Sequence, residues 1–205
     1  MEVGMQSRVL LSTNRLRLRS FLASDLGSLV DLDSDPEVMR WLTGGLATSP
    51  EVIRSTVLPR FMTYDAVEPA FGYWAAVEKA TGSFIGWFGF HPLDAGPRDE
   101  VKIGYRLRRS AWGRGLATEG AEALVRMAFE ELGVRRVLAT TYERNLASRR
   151  VAEKLGMRLV RRFRLSAADL AASHTMDGAV GEVWDGEEVE YALEAQVWFE
   201  ARSGA

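Results

Sequence analysis

The sequence predicts an α+β fold, in which helices flank one mixed sheet. Three observations support this prediction. Strand and helix patterns follow one another as β, helices, βββ, α, β, α, ββ, an order typical of neither an all-helical nor a doubly wound protein. The length of 205 residues suits one domain and is enough to bury roughly 70% of the unfolded surface. No internal repeat or low-complexity tract divides the chain. We therefore expect residues 1–205 to form a single domain.

The N-terminal part combines one strand with three helices. Residues 15–21 alternate as a strand, with Leu16 and Leu18 on one face. A cap residue or a proline opens each helix. The helices are predicted to begin at Ser24–Asp25, at Asp35-Pro36 (running through Trp41) and at Pro50 (running to Tyr64).

The middle of the chain predicts a hairpin, a further strand and a long helix. Aromatic and branched residues fill 71–78 and 83–90, and 79–82 has the composition of a turn. After a loop at 94–98, residues 101–108 alternate as a half-buried strand. A wide apolar stripe then indicates a helix that begins near Leu116 and ends at Leu132-Gly133.

The C-terminal part predicts three more strands and a helix. Residues 136–141 and 157–163 read as strands, and 145–155 as a helix that Gly156 ends. Residues 167–186 have no clear periodicity. Residues 189–199 are predicted to form a last strand, although their alternation is imperfect.

Composition excludes several classes of protein. The chain has no cysteine, so it has neither a disulfide framework nor a Cys-ligated zinc, and it suits a reducing compartment. The two histidines, His91 and His174, lie in no metal-ligand spacing, and we expect no metal. The net charge of −2 argues against nucleic acid as the main partner. No apolar run is long enough to span a membrane and residues 1–13 lack signal-peptide features, so we expect a cytoplasmic protein that does not bind a membrane.

The turn between strand 101–108 and the long helix is the most informative segment. It reads Trp112-Gly113-Arg114-Gly115-Leu116-Ala117. Glycines here let backbone N–H groups converge on an anion, and the helix N-terminus adds partial positive charge, so a pyrophosphate suits the position. The spacing matches neither a Rossmann fingerprint nor a P-loop. A plain glycine-rich helix cap remains the alternative at this point.

Residues 103–160 resemble the core of the GNAT superfamily of N-acetyltransferases. The coenzyme A signature of that family is matched by Trp112-x-x-Gly115-x-Ala117, followed by Asn145-x-x-Ser148 and then by Glu153-Lys154-Leu155-Gly156-Met157. The form Trp-Gly-x-Gly-x-Ala-Thr-Glu looks most like the branch that includes the ribosomal-protein N-terminal acetyltransferases. The resemblance extends over about residues 13–195 and implies a mixed, mostly antiparallel sheet of about seven strands.

The resemblance also implies the reaction and the residues that bind its donor. It implies transfer of an acetyl group from acetyl-CoA, as co-substrate, to a primary amine, by direct attack in a ternary complex. The residues expected to bind the coenzyme are Leu107, Arg109, Trp112, Gly113, Arg114, Gly115, Leu116, Ala117, Thr118, Asn145, Ser148 and Arg149. A backbone N–H near Leu107 would stabilise the oxyanion. Arg149 and Arg150 are the candidates for the 3′-phosphate.

Two departures from the family pattern bear on catalysis. Ala152 stands where the family often has a tyrosine acid, and Lys102 replaces a frequent glutamate on the core strand. They keep open an alternative function, an acyl-CoA-binding or regulatory protein without turnover. A nucleic-acid-binding module is a third reading, based only on a basic cluster in residues 149–164.

Catalysis of amine acetylation needs a base for the amine and benefits from an acid for the thiolate. Ser148 lies one helical turn before Ala152, and it is the hydroxyl predicted to meet the leaving thiolate. Glu100, His91 and Glu143 are the candidate bases, with Glu100 the first choice. Each of them could equally be a solvated surface residue.

The acceptor is predicted only as a class. It is an amine, on either a small molecule or a protein N-terminus, and we expect residues 174–190 to determine which one is accepted. The chain is expected to be a monomer or a homodimer.

Overall fold

An eight-stranded sheet organises the molecule in the computed structural model, which describes residues 7–67, 70–93, 97–166 and 186–203. Its strands lie in the order β1-β2-β3-β4-β5-β6-β8-β7. Neighbouring strands are antiparallel except for the parallel pair β5 and β6. The strands are β1 Val9–Ser12, β2 Leu16–Arg19, β3 Gly72–Glu78, β4 Phe84–Pro92, β5 Glu100–Leu107, β6 Arg136–Tyr142, β7 Arg158–Phe163 and β8 Glu188–Glu194. The predicted fold class, a mostly antiparallel mixed sheet flanked by helices, is confirmed.

Helices cover both faces of this sheet. They are α1 Leu26–Ser34, α2 Pro36–Thr43, α3 Pro50–Val52, α4 Leu58–Val67, α5 Leu116–Glu130, α6 Leu146–Lys154 and α7 Ala195–Ser203. A π-helical turn, Ile53–Val57, joins α3 to α4, and 3₁₀ turns occupy Ala23–Asp25 and Arg109–Ala111.

Alternation along the strands separates two apolar cores. Val101 and Ile103 of β5 pack with α5, whereas Trp87 of β4 packs with α1, α3 and α4. Arg106 of β5 points to this second side, where it forms a buried ion pair with Asp33 of α1, at 2.6 Å. Odd-numbered β5 residues therefore face α5, and even-numbered ones face the N-terminal helices.

The sheet opens between its two parallel strands. β5 and β6 pair at only three positions, from Glu100 opposite Arg136 to Lys102 opposite Leu138. Beyond Lys102, β5 continues to pair with β4, and β6 continues to pair with β8. Within the described residues, the facing edges of β5 and β6 beyond these pairs have no strand between them. This opening lies next to the glycine-rich turn that follows β5.

The structure corrects three details of the predicted elements. β1 was missed because its four residues lack clear alternation. The predicted strand 189–199 is wrong beyond Glu194, because Ala195 donates its N–H to the Arg135 carbonyl at 2.9 Å and the chain turns into α7. Asp25 does not cap α1 with its side chain, since its carboxylate binds Arg19 at 2.7 Å and accepts the Leu22 N–H at 2.8 Å. Of the loop 94–98 and the segment 167–186, residues 94–96 and 167–185 lie outside the described residues.

A single glycine sets how closely α5 approaches the sheet. A Cβ on Gly120 would lie 2.3 Å from Cζ of Phe88, whose ring is fully buried. We expect Gly120→Ala to lower the free energy of unfolding by about 1–2 kcal/mol, because overpacking outweighs the better helix propensity of alanine. Gly27→Ala in α1 is the control, since its Cβ would meet nothing within 4 Å. Denaturant titration measures both variants, and a Gly120→Ala protein as stable as wild type would contradict this packing.

Candidate active site

The turn between β5 and α5 leaves backbone donors free. Gly113 and Gly115 have φ angles of +68° and +77°, in the left-handed region that favours glycine. Gly115 is the N-cap of α5 and has no side chain with which to cap it. The first intrahelical bond of α5 runs from the Glu119 N–H to the Gly115 carbonyl at 3.0 Å. The N–H groups of the preceding first turn, residues 116–118, are therefore left for another acceptor.

Three side chains predicted to bind the coenzyme have protein partners in this structure. The Trp112 indole donates to the Leu107 carbonyl at 2.8 Å, so it closes the end of β5. Arg109 forms an ion pair with Asp35 at 2.7 Å. Arg114 pairs with Glu78. Leu116 is fully buried, while Ala117 and Thr118 are half-buried in the first turn of α5. The backbone, rather than these side chains, is what the turn offers to an anion.

The start of α6 carries Ser148 to the opening between β5 and β6. Asn145 caps the helix by accepting the Ser148 N–H at 3.2 Å, and its amide donates to Thr141 at 3.1 Å. The Ser148 hydroxyl lies 3.3 Å from the Tyr105 hydroxyl of β5. Burial raises the pKa of Tyr105, although its hydrogen bond with Ser148 acts in the opposite direction. The two hydroxyls therefore bridge the opening on the side that faces α5 and α6.

Tyr105 is a site residue that the sequence analysis missed. The sequence placed it only within the alternating strand 101–108, and 43 residues separate it from Ser148. The alternation of β5 correctly predicted the face on which Tyr105 lies. It could not indicate that α6 would place a serine against its hydroxyl.

Arg149 is held by residues of its own surroundings. Its guanidinium donates to the Tyr191 hydroxyl and to the Glu143 carbonyl, both at 3.0 Å. The hydrogen bond with Tyr191 is the main reason that the pKa of Arg149 is raised. Arg150 is exposed on the next position of α6. Arg149 thus links α6 to β8, and Arg150 is the more accessible cation.

The structure does not bring Glu100 together with Ser148. Glu100 lies at the closed end of the β5–β6 pair, where it forms ion pairs with Arg135 at 2.7 Å and with Arg136 at 3.9 Å. It precedes Tyr105 by five residues, or roughly 16 Å of strand. Glu143, another candidate base, forms an ion pair with Arg162 at 3.8 Å.

His91 lies closer to the opening. It pairs with Lys102 in the β4–β5 ladder, so both side chains point to the face of the N-terminal helices. The His91 Nδ1 atom is 3.1 Å from the Pro92 carbonyl, and its ring is 5.7 Å from the Tyr73 ring.

Glu188 is a second residue at the opening that the sequence did not single out as a candidate base. It begins β8, opposite Tyr142 of β6, at the end of β6 that has separated from β5. Burial raises the pKa of Glu188 to about 7, against the opposing effect of the Lys102 ammonium group on β5. Its charge is therefore coupled to β5 across the opening. The surrounding sequence gave no periodic signal from which this position could be found.

The opening thus has different chemistry on its two faces. Tyr105 and Ser148 lie on the face covered by α5 and α6. Lys102 belongs to the opposite face of β5, and Glu188 is coupled to it. A carboxylate that titrates near neutral pH can accept a proton, and a hydroxyl pair can donate a hydrogen bond. The arrangement suits a reaction in which a group passes from one bound molecule to another through the sheet.

A family model described as Acetyltransferase (GNAT) domain matches residues 15–158, well over half of the chain. The chain belongs to the GNAT acetyltransferase family. The family predicted from Trp112-x-x-Gly115-x-Ala117 and Asn145-x-x-Ser148 is therefore confirmed, and with it the prediction of an acetyltransferase.

Relatives of this GNAT chain are similar over most of its length. The FsC-acetyl coenzyme A-N(2)-transacetylase of Aspergillus fumigatus is 38% identical over 139 residues, covering 64% of this chain and 57% of the relative. The chain therefore spans little more than half the length of that enzyme. A GNAT-family acetyltransferase from Bacillus anthracis superposes with a TM-score of 0.73 and 24% identity, covering 91% of this chain and 98% of the other.

The branch predicted from the sequence is represented among the solved structures. RimL, the ribosomal L7/L12 alpha-N-protein acetyltransferase, solved in complex with coenzyme A, superposes with a TM-score of 0.71. Its identity is 17%, and the match covers 91% of this chain and 98% of RimL. At this identity the likeness establishes a shared fold.

Two expectations from composition can be compared with the described part of the GNAT chain. Its His, Asp and Glu side chains form no group that could hold a metal ion, and the absence of a metal stays a prediction. No described helix is both long enough and apolar enough to cross a membrane.

Proposed function

We propose that this GNAT protein binds acetyl-CoA on the turn at residues 113–118 and transfers the acetyl group directly to a primary amine in a ternary complex. The observation that carries the proposal is the opening between β5 and β6. One face of the opening has the hydroxyl pair of Tyr105 and Ser148, and the other has the carboxylate of Glu188, which interacts with the charge of Lys102. The glycine-rich turn that would bind an anion lies at its end.

The turn fits a pyrophosphate by its backbone. An N-cap without a side chain leaves room for an anion, and the uncapped N–H groups of residues 116–118 supply donors at the positive end of α5. A Cβ at Gly115 would lie 3.6 Å from Arg15 Nη2, so a larger residue there would crowd the turn. The bound coenzyme would supply the activated thioester, and the residues of the chain would orient it.

Glu188 is the proposed base. A primary alkyl amine has a pKa near 10.4 and is mostly protonated at neutral pH, so it must lose a proton before it can attack. Glu188, with a pKa of about 7, is ionised above neutral pH and can take that proton directly or through a water molecule. His91 is the alternative, since it lies on the same face beside Lys102.

Groups on β5 and α6 would stabilise the thioester during the reaction, a backbone N–H of β5 at its oxygen and Ser148 of α6 at its sulfur. Along a strand, successive N–H groups point alternately to the neighbouring strand on one side and on the other. Beyond Lys102, β5 pairs with β4 but not with β6, so every second N–H group of β5 points into the opening. Such a group, near Leu107, would donate to the oxyanion on the thioester carbonyl. Ser148 would donate a hydrogen bond to the departing thiolate, and Tyr105 would orient the Ser148 hydroxyl.

The acceptor is proposed to be an amine on either a small molecule or a protein N-terminus. The similar proteins include an FsC-acetyl coenzyme A-N(2)-transacetylase and a ribosomal alpha-N-protein acetyltransferase. Residues 174–190 remain the proposed specificity segment, of which 174–185 lie outside the described residues. We further propose a cytoplasmic monomer or homodimer.

Replacement of Ser148 tests the leaving-group assignment. We expect Ser148→Ala to lower kcat at least about tenfold, because removal of a general acid or its hydrogen bond costs typically 10²–10⁴-fold and water can replace part of it. Tyr105→Phe should lower kcat less, since Ser148 remains. The kcat of each variant is measured from thiol release at saturating acetyl-CoA. A Ser148→Ala enzyme with wild-type kcat would limit the Ser148 hydroxyl to a structural contact with Tyr105.

A further inference from the structure

The loop between β1 and β2 contacts the first turn of α5. Glu119 Oε1 accepts the Thr13 hydroxyl at 2.5 Å and the Arg15 N–H at 2.8 Å, and Glu119 Oε2 accepts Arg15 Nε at 2.6 Å. Burial alone would raise the pKa of Glu119, but the hydrogen bonds from Thr13 and Arg15 and the charge of Arg15 hold it below its usual value. Glu119 is therefore an ionised acceptor that fixes the direction of the Arg15 guanidinium.

The same guanidinium holds the backbone of the glycine-rich turn. Arg15 Nη1 donates to the Arg114 carbonyl at 2.8 Å, and this carbonyl belongs to the peptide between Arg114 and Gly115. In a trans peptide the C=O and the following N–H point in opposite directions. Arg15 thereby turns the Gly115 N–H to the opposite side of the peptide. A Cβ on Gly115 would lie 3.6 Å from Arg15 Nη2, which confirms how closely the guanidinium approaches the turn.

Neighbouring contacts hold the same loop and turn. Lys79 donates to the Thr13 carbonyl at 2.9 Å, and the Arg114 guanidinium pairs with Glu78. The Arg15 side chain is 48% exposed, and exposed ion pairs contribute little to folding stability. A glycine-flanked turn, by contrast, has many accessible backbone conformations, so a fixed carbonyl has a large effect on the direction of its N–H groups.

We propose that Arg15, oriented by Glu119, is a positioning residue that holds the backbone of the 113–115 turn in the conformation that receives the pyrophosphate of coenzyme A. This inference depends on the proposed function. It makes the β1–β2 loop, about 100 residues away in sequence, a part of the coenzyme site.

Coenzyme A binding to Arg15→Ala, measured by calorimetry, tests the proposal. We expect Kd to rise about tenfold or more, as for the loss of one hydrogen bond to a charged group. The KM for acetyl-CoA should rise with kcat nearly unchanged, and the unfolding midpoint should move little. Arg15→Lys should stay weak, because one ammonium group does not reproduce the planar fork that reaches both Glu119 and the Arg114 carbonyl. Arg17→Ala, which removes an exposed arginine two residues further on in β2, is the charge-matched control and should bind as wild type does.

Fragments of the coenzyme distinguish positioning from general destabilisation. The weakening should be as large for dephospho-CoA as for coenzyme A, since both contain the pyrophosphate. Turnover of S-acetylpantetheine, which lacks it, should not change. Adding Glu119→Gln to Arg15→Ala should weaken binding little further, because the two residues act as one unit.

Three outcomes overturn the assignment of Arg15. They are wild-type affinity in Arg15→Ala, an equal loss in Arg17→Ala, and an equal loss of S-acetylpantetheine turnover. If the wild-type protein itself binds no coenzyme A, it is the proposed function that fails. If wild type binds and Arg15→Ala binds equally well, only the positioning role fails.

Discussion

Gly115→Asp is expected to abolish coenzyme A binding while the fold survives. Aspartate is a good N-cap and tolerates the left-handed region, so α5 can still form. Its carboxylate, however, would add bulk and a negative charge to the turn that is proposed to hold the pyrophosphate, and it would repel that anion. Two unit charges roughly 4 Å apart interact by about 4 kcal/mol at an effective dielectric constant of about 20, which corresponds to almost three decades in Kd.

Gly115→Asn separates the effect of charge from that of bulk. It is nearly isosteric with aspartate and equally compatible with φ near +77°, so its affinity should lie between those of wild type and Gly115→Asp. Calorimetry gives the affinities, and circular dichroism checks the fold. Unchanged affinity in folded Gly115→Asp protein would refute the pyrophosphate assignment.

Glu188→Gln is expected to lower kcat/KM roughly 10²–10⁴-fold at pH 8, the range for loss of a general base. The proposed active form is the carboxylate. Wild-type kcat/KM should therefore be low below about pH 7, where Glu188 is protonated, and should rise to a plateau above it. This rise is the acidic limb of the pH profile. In Glu188→Gln this limb should disappear. Glu194→Gln, at the other end of the same strand, is the matched control and should keep both the rate and the limb.

Two further variants assign the limb to a residue. Lys102→Met removes the cation that opposes the rise in the Glu188 pKa, so the limb should move to higher pH. His91→Ala should leave it in place. A limb that persists in Glu188→Gln but disappears in His91→Ala would contradict the assignment of Glu188 and make His91 the base.

Local patterns were sufficient to predict most of the fold. Alternation in β5, the apolar stripe of α5 and the cap at Asp35 depend on neighbours in sequence, and the structure has each of them. The error after Glu194 has a tertiary cause, because pairing of β8 with β6 ends there.

The candidate site was less predictable because its pairs are distant in sequence. The turn at Gly113 and Gly115 could be found from glycine spacing alone. The contact between Tyr105 and Ser148 depends on where α6 packs, and the charge coupling of Glu188 with Lys102 depends on the separation of β5 from β6. Glu100 looked suitable at the start of its strand, but the sequence could not indicate that Arg135 and Arg136 would pair with it.

Thiol release from acetyl-CoA in the presence of amines tests the proposed reaction most directly. The panel should include polyamines, amino sugars, amino acids and peptides with free N-termini, with the acetylated product identified by mass spectrometry. We predict amine-dependent release, one acetylated amine for each thiol, and intersecting initial-rate lines, as direct attack in a ternary complex requires. Coenzyme A binding without amine-dependent release, or parallel lines with an acetylated protein, would contradict direct transfer.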